Sequence, residues 1–133
     1  MPRLVGRLVV LALGAGVAVV AGRAAMRAKP RACAKCGALM TRMHDGEKQA
    51  YLEAGEKCEE RVGSIAHDVW RCTRCHALEK ARWPSLVPKG VTACGVCRFR
   101  TMKVASRKRV AGGMEASSVC EHCGAKESAT RGR

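Results

Sequence analysis

Aromatic side chains are almost missing from this 133-residue chain: Tyr51, Trp70, Trp83 and Phe99 make up the 3% present. A core with so few large side chains is thin, and small folds with thin cores are usually held by metal ions or disulfides. Acids are scarce as well. Eleven Asp and Glu stand against 25 Lys and Arg, a formal charge of +14, which favours an anionic neighbour, either phospholipid or nucleic acid. The chain also lacks any legible nucleophile–base pair with an orienting acid. His67 and Asp68 are adjacent, but neighbours on a strand point to opposite faces. The expectation is that the protein is not an enzyme.

Charge is absent from one stretch, "LVVLALGAGVAVVAG" at 8–22, bracketed by Arg7 and Arg23. With Leu4, Val5 and Gly6 it reaches 19 residues, near the ~20 that span a hydrocarbon core, and Arg7 can snorkel to the interface. The expectation is a transmembrane anchor, with membrane contact over 4–26. A cleaved signal peptide beginning "MPRLVGR" is the alternative, but Arg23 stands where a cleavage site needs small residues. Arg3 and Arg7 precede the run, while Arg23, Arg27, Lys29, Arg31 and Lys35 follow it. The positive-inside rule then places the C-terminal side in the cytoplasm. The expected location is the inner (cytoplasmic) membrane, single-pass, with a cytoplasmic cysteine-rich domain. Gly14, Ala18 and Gly22 form a small-residue ridge, which the abundance of small residues is enough to explain.

What the chain has in plenty is cysteine, nine in all, and eight of them fall in four copies of one device. These are "CAKC" at 33–36, "CTRC" at 72–75, "CGVC" at 94–97 and "CEHC" at 120–123. A C-x-x-C turn supplies two soft ligands from one tight loop, and zinc takes four in a tetrahedron. Four loops therefore predict two Zn²⁺. The order of elements favours one pairing. "CAKCGALMTRM" and "CGVCRFRTMKV" read as knuckle then strand, "HDVWRCTRC" and "MEASSVCEHC" as strand then knuckle. Cys33, Cys36, Cys72 and Cys75 are thus expected to form one site, and Cys94, Cys97, Cys120 and Cys123 the other. Pairing the middle two knuckles, C-x2-C-x18-C-x2-C, also fits known ribbon spacing.

The fold class expected is small, metal-stabilised α+β. An N-terminal transmembrane helix would be followed by two zinc-ribbon-like units with one intervening amphipathic helix. The anchor and its basic flank take 1–29, the first unit 30–82, the second 83–124, and a disordered tail 125–133. The second unit has room for three strands turning near Ser106 and Gly112-Gly113. In the first, 47–62 reads as a helix with Tyr51, Gly55, Cys58 and Val62 on one face. Asp45 is its candidate N-cap.

Cys72-Thr-Arg-Cys75-His76 raises a rival, because C-x-x-C-H is the attachment motif of c-type haem. Only one of the four knuckles carries the His. Haem explains two cysteines and strands six, where zinc explains eight. An exported redox or haem protein using this motif remains the second alternative, and disulfides likewise require export. A dithiol redox site would normally open a helix in a βαβ setting, and none is legible. His76 is expected as an exposed strand residue and His122 as a spacer within its knuckle. His44 and His67 are expected as surface loop residues, and Cys58 as a small buried hydrophobe.

These residues resemble the cysteine-rich C-terminal tail of bacterial TPM-domain membrane proteins. The matching pieces are Cys33, Cys36, Gly37 and Met40; then Gly63, Ser64, Asp68, Val69, Trp70, Cys72 and Cys75; then Cys94, Cys97, Arg100 and Thr101. The resemblance covers roughly 30–124, and DVW-x-C-x-x-C is its most specific part. His67 replaces a usual Tyr, and no Pro stands inside the knuckle at 94–97. The resemblance implies a span, a basic juxtamembrane stretch and a cytosolic metal domain. The family's TPM domain would precede the span, where this sequence has seven residues, so no TPM activity is carried over.

Cations concentrate late in the chain. Residues 46–82 hold seven acids and seven bases, whereas 83–133 hold three acids and ten bases. Arg98, Arg100, Lys103, Arg107, Lys108 and Arg109 form the candidate basic patch. On a hairpin several could share a face and meet phosphates, although base stacking usually rests on aromatics and Phe99 is the only one nearby. The leading expectation is a membrane-anchored zinc-ribbon protein acting as a structural or protein-interaction module. A membrane-tethered nucleic-acid-binding ribbon is the alternative, and anionic lipid headgroups are a further partner for the same charges.

Overall fold

A tight turn carrying two cysteines, with a strand at one or both ends, occurs four times and builds most of the fold. In the computed structural model residues 16–87 and 90–132 are described. Residues 16–28 are helical (α1). Of the expected anchor over 4–26, the part 4–15 lies outside the described residues and the part 16–26 falls in α1. Among the described residues no helix is long and apolar enough to cross a membrane.

Among the described residues eight strands follow: β1 (Arg31–Ala32), β2 (Leu39–Arg42), β3 (Ile65–Cys72), β4 (Leu78–Pro84), β5 (Val91–Thr92), β6 (Met102–Val110), β7 (Gly113–Cys120) and β8 (Lys126–Arg131). They form two four-stranded sheets, ordered β1-β2-β3-β4 and β5-β6-β7-β8. Between β2 and β3 lie α2 (Asp45–Lys48), a 3-10 turn (Gln49–Tyr51) and α3 (Ala54–Val62).

The helix expected over 47–62 is therefore interrupted. Leu52 and Glu53 are extended, with ψ of 138° and 160°. Leu52 is buried in a cluster with Met43 and Val69, against which Tyr51 packs. Glu53 then restarts the helix through a capping box. Its carboxylate accepts a first-turn N–H, and the Glu56 carboxylate accepts the Glu53 N–H at 2.8 Å. Asp45 is the first residue of α2, and the N-cap is His44, without a side-chain cap. Of the expected apolar face, Gly55 and Cys58 are buried, while Tyr51 and Val62 are half-buried.

The described residues divide into two compact units, one from 16–41 with 72–76, the other from 42–71 with 77–87 and 90–132. The first contains the knuckles at 33–36 and 72–75, joined where Thr73 donates from both its N–H and its hydroxyl to the Leu39 carbonyl.

In the second unit α3 lies against β3 and β4 and also meets the β5–β8 ribbon. Glu59 is completely buried. Its carboxylate bonds to His67 Nε2 at 2.9 Å, accepts from Arg82 Nη2 at 2.8 Å, and accepts the Arg100 N–H at 2.7 Å. Ser64 donates its hydroxyl to the Arg100 carbonyl at 2.5 Å. The Phe99 ring lies over Gly55 so closely that a Cβ there would enter it. The helix of the first half of the sequence is thus packed with the second ribbon.

The hairpin β6–β7 pairs Val110 with Gly113, leaving Ala111-Gly112 as the turn. The turn expected near Ser106 is instead a register shift between Val104 and Ser106 inside β6. Residues 125–133, expected as a disordered tail, contain β8, which pairs along β7 from Val119↔Lys126 to Met114↔Arg131.

Candidate metal centres

All four knuckles share one backbone form. The residue after the second cysteine has a positive φ each time: Gly37 at 71°, His76 at 58°, Arg98 at 68° and Gly124 at 73°. Its N–H returns to the carbonyl of the first cysteine, at 2.8 Å from Gly37 to Cys33, 3.2 Å from His76 to Cys72, and 3.0 Å from Arg98 to Cys94 and Gly124 to Cys120. The turn closes so that both sulphurs of a knuckle face the same side. His76 fills a left-handed position that two other knuckles give to Gly. It is exposed and lies between strands, not within one as expected.

The strands bring the knuckles together in two groups. Cys33, Cys36, Cys72 and Cys75 form one, Cys94, Cys97, Cys120 and Cys123 the other, and within each group the Sγ atoms all lie within 4.8 Å of one another. These are the groupings argued from the order of knuckle and strand; the middle two knuckles are not paired. The closest approaches are Cys36–Cys72 at 3.4 Å, Cys33–Cys75 at 3.6 Å, and Cys94–Cys123 and Cys97–Cys120 at 3.7 Å. A disulfide needs ~2.05 Å, and all nine cysteines are free. Four thiolates at ~2.3 Å from one tetrahedral ion lie ~3.8 Å apart. The donor set and spacing therefore fit a metal ion in each group.

The local charges are prepared unequally. Cys72 is lowered to about 6, first by the Cys75 N–H and then, against burial, by the Arg74 N–H; these N–H groups reach its sulphur at 3.5 and 3.4 Å. Cys120 is lowered to about 6 although burial opposes it, because the Cys123 N–H and the Thr101 hydroxyl stabilise its thiolate. Thr101 is fully buried with its hydroxyl 3.1 Å from that sulphur. Cys36 is raised to about 12: the Ala38 N–H favours its thiolate, but the Cys72 sulphur beside it, burial and the other cysteines outweigh that. Cys97 is raised to about 12 by burial and by its three cysteine neighbours. In each group N–H donors favour the thiolate at one cysteine, and the neighbouring sulphurs disfavour it at another.

Cys58 stands apart from both groups. It is buried, and Arg61 donates to its sulphur at 3.2 Å. His44 is exposed as expected. His67 is not: it lies in β3 with no exposed surface and bonds to Glu59. The alternation that would place it inward is hidden because nearly all of β3 is buried. His122 is half-buried, with its ring edge-on to Phe99 at 5.3 Å between centroids.

The basic patch is divided by the structure. Arg98 sits in a knuckle turn, and Arg100 donates from Nε to the Val91 carbonyl at 3.1 Å. The shift inside β6 sorts the others. Directly opposed residues share a face, so Arg107 and Arg109 lie with Ala116 and Met114, whereas Lys103 and Lys108 lie with Val119 and Glu115. Lys103 also approaches Glu121 at 3.9 Å. The six cations do not form one surface. Arg131, on the arginine face beside Met114, was hidden by the expectation of a disordered tail.

No protein-family model matches the chain, and neither a curated protein nor a solved structure matches it. Fold and site therefore rest on the chain's own geometry: a small α+β protein with two four-cysteine groups, each able to hold a metal ion.

Proposed function

We propose that each four-cysteine group holds one structural Zn²⁺ and that the chain is a membrane-anchored binding module rather than an enzyme. The observation that carries this is the closure of each group by four sulphurs within 4.8 Å, which leaves no open position for an activated water. Zinc suits a tetrahedral all-thiolate set, and bound zinc contributes folding energy directly. The scarcity of aromatic side chains, 3% of the chain, leaves a thin core that such a contribution would support. The resemblance to the tail of TPM-domain membrane proteins belongs to the same reading, with the metal domain acting as a scaffold for a macromolecular partner.

Attachment to the inner membrane rests on the uncharged run 8–22 and on five cations just after it against two before. Metal analysis of the full chain, produced in reducing cytosol, tests the metal assignment. About two zinc per chain and no haem absorbance is the expected result. Bound iron, bound haem or a metal-free folded protein would overturn it. Alkaline extraction and protease accessibility in membrane vesicles test the anchor; recovery of the chain in the soluble fraction would refute it.

A further inference from the structure

The sheet β5–β8 segregates its cations by type. Register across β6, β7 and β8 aligns Arg109–Met114–Arg131 in one row and Arg107–Ala116–Ala129 in the next, all on one face. The opposite face carries Lys103–Val119–Lys126, Ser106–Ser117–Ser128 and Lys108–Glu115–Thr130. Neither arginine row contains an acid. The nearest acid on that face is Glu127, in the row of Ser118, and its carboxylate accepts the Gly95 N–H at 3.2 Å. Arg107, Arg109, Met114, Ala129 and Arg131 are exposed. An open concavity of about 570 Å³ at the hairpin end is lined by Arg109, Met114 and Arg131 together with the turn residues.

We propose that this arginine face binds single-stranded nucleic acid through its phosphates. The proposal deepens the binding-module reading and rests on it. Arg107 and Arg109 are two residues apart on one strand, ~7 Å at the usual rise, so both can reach phosphates of the same nucleic-acid strand. Arg131 lies two strands from Arg109, ~10 Å across the sheet, so the three guanidinium groups flank a shallow track. Guanidinium forks bond phosphates bidentately, and their planes stack on bases. That supplies what the missing aromatics do not. Ala116 and Ala129 keep the track low, and the Met114 thioether lies between two arginines. An open sheet face suits a splayed single strand, whose unstacked bases can lie on the guanidinium planes. Acidic lipid is the competing anion, but it would draw on the lysine face equally, and charge alone gives no reason for the arginines to be sorted.

Fluorescence anisotropy of a labelled oligouridylate, titrated with the full chain at several salt concentrations, tests the proposal. Arg107→Ala/Arg109→Ala/Arg131→Ala is expected to weaken binding roughly tenfold or more and to reduce the log–log salt slope by about 2, at ~0.7 per lost phosphate contact. The corresponding triple Arg→Lys variant, which preserves charge, should also bind more weakly than the parent. A triple Ala variant of Lys103, Lys108 and Lys126 should lose less than the arginine variant. Unchanged affinity in either arginine variant would overturn the proposal. So would an arginine-dependent preference for phosphatidylglycerol over phosphatidylcholine vesicles without oligonucleotide binding. Zinc content, measured on every variant, separates the two readings. A chain that keeps two zinc and ignores oligonucleotide overturns only this inference, whereas a metal-free parent removes the scaffold reading beneath it.

Discussion

The Glu59 carboxylate accepts the backbone N–H of Arg100 at 2.7 Å, so a buried charge on α3 fixes the chain just before β6. The same carboxylate holds His67 at 2.9 Å and Arg82 at 2.8 Å. A buried carboxylate is tolerable when its lone pairs are filled, and removing its charge strands the donors around it. Glu59→Gln keeps the size but brings N–H groups where acceptors are needed. It should cost about 2–3 kcal/mol, read as a lower urea midpoint for the zinc-loaded chain. A change below ~0.5 kcal/mol, the range of a neutral surface substitution, would show that the network contributes no more than its shape.

Gly55 and Phe99 form a contact that only one of the two residues can vary. Alanine in a helix interior normally gains ~1 kcal/mol over glycine. At Gly55 the added Cβ would enter the Phe99 ring, and overpacking of this kind costs ~1–3 kcal/mol. The clash is expected to win, so Gly55→Ala should destabilise the protein. In Gly55→Ala/Phe99→Leu part of the loss should return, giving a double-mutant coupling above ~0.5 kcal/mol. Additive losses would mean that the ring and the helix do not meet in solution.

His76 should be dispensable as an imidazole and demanding as a backbone. Its φ is 58°, a region open to glycine, tolerated by histidine and costly for β-branched side chains. His76→Gly is expected to keep both zinc ions and full stability. His76→Val should cost ~1–3 kcal/mol and speed zinc loss to a chromogenic chelator from the first site. Equal chelator kinetics for the two variants would contradict the backbone role.

The knuckles were legible because a metal-binding turn is written in local spacing, and the order of knuckle and strand carried the pairing of Cys33 and Cys36 with Cys72 and Cys75. The interruption at Leu52–Glu53 was not legible, since a helical repeat does not reveal that Leu52 must turn into the cluster with Met43 and Val69. Nor was the burial of His67 and Glu59. Each looks like a surface residue by type, and only their tertiary meeting makes burial affordable. The arginine face depends on a one-residue shift inside β6, and such a slip moves side chains to the other face.

Lys48 gives a pH signature independent of the thiols. Its ammonium is buried, 2.7 Å from Glu60, 3.0 Å from Asp45 and 2.8 Å from the His67 carbonyl. Burial alone would lower its pKa, but the Glu60 and Asp45 carboxylates outweigh it and the value is raised above 10.5. A raised value means that the folded state holds the proton more tightly than the unfolded one. The contribution is therefore complete below 10.5 and lost as pH rises through the folded value. Lys48→Met, which leaves Glu60 without its cation, should cost about 3 kcal/mol at neutral pH. That difference from the parent should hold steady through mild alkali and shrink only above the ordinary lysine range. Urea unfolding of both proteins, zinc-loaded, across that range measures it, and a gap that closes near neutrality would show that another group carries the effect.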